Sequence, residues 1–135
     1  MPPPAGLPDL FIDRSLGRIT VPRLLREAGL TLTTLAERYG VPTDENVADE
    51  EWLSDAGRRQ EVVLLKDGRV RYNAAEKAAI DRHAVRCFCL TRQDLPGNEM
   101  AARFLRNLHR IVEACGESGP FVYAVHENRL QKMPL

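Results

Sequence analysis

The stretch Leu10-Phe11-Ile12-Asp13 is a short apolar run that ends on an aspartate, and Val62-Val63-Leu64-Leu65-Lys66-Asp67 is a second one. Short apolar runs rich in β-branched residues are typical of strands that are buried on both faces of a parallel sheet. Ligands bind beyond the carboxyl ends of such strands. Because Asp13 and Asp67 both follow strands, we expect them at one sheet edge, where two carboxylates can hold a divalent cation.

The same chain alternates strand and helix patterns along its whole length. Strands are predicted at residues 10–13, 30–35, 61–66, 85–91 and 120–125, and helices at residues 21–29, 47–59, 74–84 and 98–115. This alternation predicts an α/β fold, a three-layer α/β/α sandwich with a mainly parallel central sheet.

Length and charge limit the classes of function. The 135 residues suit one domain, with residues 1–9 as a flexible N-terminal tail and residues 10–135 as the folded unit. The 19 basic and 19 acidic side chains give a formal net charge of zero, so there is no global field that attracts nucleic acid. Any such binding must come from a local basic patch.

Cysteine usage and hydropathy predict the compartment. Cys87, Cys89 and Cys115 are an odd set without the usual spacing of zinc ligands, so we expect core thiols in a reducing environment. No apolar run approaches the ~20 residues that a membrane helix needs. The N-terminus lacks the regions of a signal peptide. We therefore expect a cytoplasmic protein that does not contact a membrane.

A third carboxylate lies in the predicted helix between the two strands. On a helical wheel, Asp49 falls on the same face as the apolar Ala48, Trp52, Leu53 and Ala56. An aspartate on the buried face of a helix is costly unless it is paired or bound to a metal. Asp49 is thus a candidate third ligand beside Asp13 and Asp67.

Each of these aspartates also has a purely structural interpretation. Asp13 can cap the turn after the first strand, and Asp67 in Lys66-Asp67-Gly68 can be a turn residue. Asp49 can be the N-cap of a helix that begins at Glu50. The three together, with two at equivalent strand ends, favour a common site.

The ordered set of these segments resembles a known family. Phe11-Ile12-Asp13-Arg14, then Asp49-Glu50-Glu51-Trp52-Leu53, then Val63-Leu64-Leu65-Lys66-Asp67 resemble a PIN-like domain, and more narrowly the VapC-type toxin ribonucleases. The resemblance extends through residues 97–101 and 119–122. It implies a metal-dependent endoribonuclease that uses Mg²⁺ or Mn²⁺, cleaves RNA and is held inactive by a cognate antitoxin protein. Homodimers are common among such proteins.

The resemblance also implies roles for individual residues. Asp13, Asp49 and Asp67 match the catalytic, metal-binding carboxylates, with Glu45 or Glu50 as substitutes for Asp49. A fourth acidic or polar position follows the fourth strand. The candidates for it are Asp94, Asn98 and Glu99.

Basic residues near the same sheet edge are candidates for contacts with RNA phosphates. Arg14, Lys66, Arg69, Arg71 and Arg92 follow or end strands. Solvated loop charges are an equally good interpretation of Arg69 and Arg71.

Two other functions compete with the nuclease. A PIN-like domain without catalysis that serves as a protein-binding module is the first, and the neutral charge favours it. The second is a phosphoacceptor receiver domain, which needs an acidic pair where Asp13 is followed by Arg14, and a lysine where Val125-His126 stands. The sequence therefore favours the PIN-like interpretation over the receiver domain.

Overall fold

The computed structural model describes residues 4–66 and 73–135, and in this part of the chain six strands form one sheet. The strands are β1 (Leu10–Ile12), β2 (Leu32–Thr34), β3 (Val62–Lys66), β4 (Arg86–Leu90), β5 (Phe121–Val125) and β6 (Leu130–Met133). The helices are α1 (Thr20–Glu27), α2 (Leu35–Tyr39), α3 (Asp49–Arg58), α4 (Ala74–Arg82), α5 (Gly97–Arg106) and α6 (Leu108–Ala114).

The strand order creates a crevice between β1 and β3. The order is β2-β1-β3-β4-β5-β6, with parallel pairing throughout except for the antiparallel β5–β6 pair. The chain leaves β1 toward β2 on one side and later returns to β3 on the other side. Such a reversal of strand order is the place where open α/β sheets bind ligands.

Two hydrophobic clusters cover the two faces of the sheet. Side chains alternate between the faces along each strand, so Leu10 and Ile12 belong to the cluster under α1, α5 and α6. Phe11 belongs to the cluster under α2, α3 and α4. The architecture is therefore the predicted three-layer sandwich, with both faces of a mainly parallel sheet covered by helices.

The segment after β2 differs from the prediction. We predicted a strand over residues 30–35, but Leu35 begins α2, because Thr34 and Glu37 form a capping box. The helix is fixed to the sheet by Arg38, which binds the buried Glu61 with two bonds of 2.7 and 2.5 Å. The Arg38 guanidinium also lies 4.7 Å from the centre of the Phe11 ring.

The predicted helix over residues 98–115 was wrong as a single element. The structure divides it into α5 and α6 at Asn107, which is completely buried. The Asn107 side-chain amide donates to the carbonyl oxygen of Arg103 at 2.9 Å and to that of His126 at 2.8 Å. A side chain that bonds backbone groups in this way competes with a regular helix, and here it ties the break to the loop after β5.

Three further features complete the fold. Strand β6 was not predicted, because its segment Leu130–Met133 is short and mostly exposed. Leu7, in the predicted tail, packs against the hydrophobic cluster under α1. Within the part of the chain that the structure describes, no helix has the length and apolar character needed to cross a membrane.

Candidate metal centre

Asp13 lies at the crevice between β1 and β3. Its backbone N–H donates to the carbonyl oxygen of Leu64 at 3.1 Å, which continues the pairing of the two strands past the end of β1. Its side chain caps a 3-10 turn over residues 14–16, because Oδ2 accepts from the Ser15 N–H at 3.2 Å and from the Ser15 hydroxyl at 2.6 Å. The capping role considered from the sequence is thus present.

Ser15 links this carboxylate to the end of the neighbouring strand. While its hydroxyl donates to Asp13, the same oxygen accepts from the backbone N–H of Lys66 at 2.9 Å. The bridge fixes the Asp13 carboxylate against the last residue of β3. The sequence interpretation did not name Ser15, although an aspartate side chain often bonds the backbone two residues further along the chain.

Only one oxygen of Asp13 is used by this turn. Oδ1 is buried without a hydrogen-bond partner among the described residues, and Asp13 as a whole is 7% exposed. Burial raises the pKa of Asp13, and the negative charge of Asp49 raises it further, while the bonds from Ser15 partly oppose the shift. A buried carboxylate oxygen without a donor is a strong candidate for a cation ligand.

Asp49 is the first residue of α3 and lies at the same edge of the sheet. Its Oδ1 accepts from the indole N–H of Trp52 at 2.9 Å, and the Trp52 ring stacks on Phe11 with ring centres 5.5 Å apart. The N-cap interpretation of Asp49 was wrong, since the helix begins at Asp49 and Ala48 is its N-cap.

The helix wheel was correct for the apolar core of α3 but not for Ala48. Trp52, Leu53 and Ala56 are buried as predicted, and Asp49 is half-buried. Ala48 is exposed because it precedes the first turn of the helix.

A further carboxylate, Glu76, meets Asp49 from the neighbouring helix α4. Burial raises the pKa of Glu76 to about 8, with further contributions from the contact with Asp49 and from the charges of Glu50 and Asp13. Sequence reasoning missed Glu76, since nothing in the pattern of α4 indicates that its first turn faces α3.

The described carboxylates fit a divalent cation only in part. Within residues 4–66 and 73–135, no group of three or more His, Cys, Asp or Glu side chains is placed to hold a metal ion. Asp67 is outside the described residues, as are Arg69 and Arg71. The buried Oδ1 of Asp13, which has no partner among the described residues, has the chemistry of a ligand for a hard cation, and the role of Asp67 stays a prediction.

The acidic alternatives to these residues are engaged elsewhere. Asp94 forms an exposed ion pair with Arg92, with bonds of 3.0 and 2.9 Å. Glu99 accepts from Arg106 at 2.5 Å and lies 3.8 Å from Arg103. These arginines lower the pKa of both carboxyls.

The remaining polar candidates do not interact with Asp13 as closely as Asp49 does. Glu45 lies 3.4 Å from Arg18, and Asn98 is exposed. Glu50 is exposed, although its charge acts on Glu76.

The basic candidates also have internal contacts. The Arg14 side chain donates to the carbonyl oxygen of Val47 at 2.5 Å, which holds the loop that leads into α3. Arg92 is paired with Asp94, and Lys66 lies at the end of β3 beside the Ser15 bridge. The backbones of Arg14 and Lys66 therefore lie at the same sheet edge as Asp13, while the charge of Arg92 is largely balanced.

Comparisons with known proteins identify the family of the chain. The family described as "PIN like domain" matches residues 8–92, a span that includes Asp13, Asp49, Asp67 and Glu76 and ends before Asp94. A protein of Mycobacterium tuberculosis (strain ATCC 25618 / H37Rv) named "Putative ribonuclease VapC45" is 36% identical over 129 residues, which cover 96% of this chain and 94% of that protein. No solved structure matches the chain significantly.

Proposed function

The chain belongs to the family of PIN-like domains, and from this premise we propose that it is a metal-dependent endoribonuclease, the toxin of a toxin–antitoxin pair. One observation supports the proposal above all. Asp13 is buried at the switch point of the sheet, one of its oxygens has no partner within the described part of the chain, and a second aspartate lies close enough to raise its pKa. Such a site suits metal-assisted hydrolysis of a phosphodiester.

In this proposal Asp13, Asp49 and Asp67 are the metal ligands. Mg²⁺ or Mn²⁺ is the expected ion, since both prefer carboxylate oxygens. Such an ion, when bound, lowers the pKa of a coordinated water and stabilises negative charge on the phosphate. Ser15 orients the Asp13 carboxylate, and the Trp52 indole N–H orients Asp49. Their hydrogen bonds give the ligands a fixed direction, which is how outer-shell partners tune a metal site.

RNA is the proposed substrate because the relative with 36% identity is named as a ribonuclease. The zero net charge means that phosphate contacts must be local. Arg14 and Lys66 lie at the edge that also holds the carboxylates, and the sequence places Arg69 and Arg71 directly after β3. We propose these four residues as the phosphate contacts and give Arg92 a smaller part, since Asp94 balances its charge.

Partners and location follow from the same proposal. A toxin of this type is inhibited by a cognate antitoxin protein, acts on cytoplasmic RNA and forms a homodimer. The competing function is a protein-binding module without catalysis. The ion pairs of Asp94 and Glu99 favour that alternative, because they occupy the residues expected as the fourth ligand.

Expression of the chain alone in a bacterial host tests the proposal. We expect growth arrest with the wild type and normal growth with Asp13→Asn at equal protein level. Asp81→Asn is the matched control, since Asp81 is an exposed acidic residue on α4, and it should arrest growth like the wild type. Normal growth with abundant soluble wild-type protein would support the binding module instead.

A further inference from the structure

We propose that Arg18 and Asp44 are positioning residues of the candidate metal centre, because their ion pair fixes the loop that follows Asp13 against the segment that leads into Asp49. This inference rests on the proposed function, since it concerns the geometry of the same site. Neither Arg18 nor Asp44 is a metal ligand in this proposal, and the sequence interpretation gave neither residue a role.

Asp44 is a buried carboxylate that Arg18 binds with a planar fork of hydrogen bonds. Asp44 lies in a 3-10 turn over Thr43–Glu45 and is 3% exposed. Arg18 Nε donates to its Oδ2 at 3.0 Å, and Nη2 donates to Oδ1 and to Oδ2, each at 2.8 Å. Such a fork fixes the distance and the orientation of both groups. Because a buried carboxylate without its partner is costly, the two segments resist separation.

A second arginine of the same loop makes a parallel contact. Arg14 follows Asp13 directly, and its Nη2 donates to the carbonyl oxygen of Val47 at 2.5 Å. Val47 lies two residues before Asp49, which is the first residue of α3. The loop after β1 is therefore tied at two places to the segment before α3, with residues 14–18 on one side and residues 44–47 on the other.

The two carboxylates need such a tie because their negative charges repel each other. Asp13 follows β1, and Asp49 is linked to the same strand by Trp52, which bonds its carboxylate and stacks on Phe11. Two negative charges at one sheet edge push their segments apart as long as no cation lies between them. The stacking holds α3 against the sheet, while the ion pair holds the two loops together. The metal-free chain thus keeps the carboxylates near the arrangement that a cation needs, which lowers the cost of binding.

A second buried ion pair in the chain provides a matched control. Arg38 binds Glu61 with two bonds, and the two side chains are 9% and 8% exposed. Glu61 precedes β3, so this pair lies at the amino end of the parallel strands, whereas Asp13 follows the carboxyl end of β1. Glu61→Gln therefore removes a buried, arginine-bound carboxylate as Asp44→Asn does, but at the opposite edge of the sheet.

Hydrogen exchange of the metal-free full chain, followed by NMR, tests the positioning without any metal. The Ser15 backbone N–H bonds the Asp13 carboxylate, and the Trp52 indole N–H bonds Asp49, so these two protons report the two carboxylates. We expect Asp44→Asn to speed the exchange of both protons at least about tenfold, because the two loops open locally. In Glu61→Gln both protons should exchange as in the wild type.

Calorimetric titration with Mn²⁺ then measures the effect on the site, after circular dichroism has shown that each variant is folded. We expect Asp44→Asn to bind Mn²⁺ at least about tenfold more weakly than the wild type, as the loss of an outer-shell partner does, and Glu61→Gln to bind like the wild type. Arg18 is 44% exposed, so its variants keep the fold measurable even if Asp44→Asn does not fold. Arg18→Lys keeps the charge without the fork and should retain more Mn²⁺ affinity than Arg18→Gln.

The outcomes distinguish the two claims. If the wild type binds no Mn²⁺, the proposed function and the positioning role both fail. If the wild type binds Mn²⁺, Asp13→Asn does not, and Asp44→Asn matches Glu61→Gln in exchange and in affinity, the ion pair is only structural and the positioning role is overturned while the proposed function stands. Equal Mn²⁺ affinity of the wild type, Arg18→Lys and Arg18→Gln would overturn it in the same way.

Discussion

Removal of the Ser15 hydroxyl should destabilise the protein and disturb the metal centre together. In Ser15→Ala, the Asp13 carboxylate loses an O–H donor at 2.6 Å, and the Lys66 N–H loses its acceptor at 2.9 Å. A hydrogen bond to a charged group contributes about 1.5–3 kcal/mol and a neutral one about 1 kcal/mol. Because Ser15 is half-buried, water compensates for part of the two lost hydrogen bonds. We therefore expect the free energy of unfolding to fall by about 2 kcal/mol.

Urea denaturation of the metal-free protein measures this loss, and titration with Mn²⁺ measures the effect on the site. Ser54→Ala is the matched control, since the Ser54 hydroxyl donates to the Glu50 carbonyl oxygen on the exposed side of α3. Its free energy of unfolding should change by less than about 0.5 kcal/mol. If Ser15→Ala and Ser54→Ala unfold at the same urea concentration, the Ser15 bridge has no role in holding Asp13.

Three further predictions concern other parts of the same arrangement. Trp52→Phe keeps an aromatic ring on Phe11 but removes the N–H that bonds Asp49, so calorimetry should show Mn²⁺ affinity reduced several-fold; an unchanged affinity would contradict the orienting role. Gly119→Ala places a Cβ 2.0 Å from the Ala84 carbonyl oxygen, and should lower the free energy of unfolding by about 3 kcal/mol; an unchanged urea midpoint would contradict this packing. Without metal, the pKa of Glu76 is raised to about 8 from an ordinary 4.5. Between these two pH values the folded state keeps a proton on Glu76 that the unfolded state has lost, so stability should fall as the pH rises from 4.5 to 8. Solvent screening keeps that loss near 1 kcal/mol, and a melting temperature that falls equally in Glu76→Gln would exclude Glu76 as its cause.

The sheet was predictable because its strands are buried on both faces. Runs such as Val62–Leu65 are apolar at every position, which is the pattern of a strand that is covered by helices on both sides. Asp13 was predictable for the same reason, since it is the first polar residue after β1. The helix break at Asn107 was not predictable, because its cause is a set of bonds to the loop after β5, distant in sequence.

The residues of the candidate site were also only partly predictable from the sequence. The sequence singled out Asp49 because an acid on an apolar helix face is unusual, and in the structure its carboxylate accepts a hydrogen bond from Trp52. The sequence interpretation did not name Glu76, because its surroundings depend on the packing of α4 against α3, which no local pattern encodes. Ser15 was missed because its second bond joins it to Lys66, in another strand.

RNA cleavage by the purified protein tests the central claim most directly. The wild type, Asp13→Asn and Asp81→Asn are incubated with a mixed RNA, with Mg²⁺ or Mn²⁺ or with a chelator, and the products are separated by size. We predict discrete cleavage by the wild type and by Asp81→Asn with metal, no cleavage with the chelator, and none by a folded Asp13→Asn. Cleavage by Asp13→Asn at the wild-type rate, or undiminished cleavage in the chelator, would contradict a metal-dependent nuclease centred on Asp13.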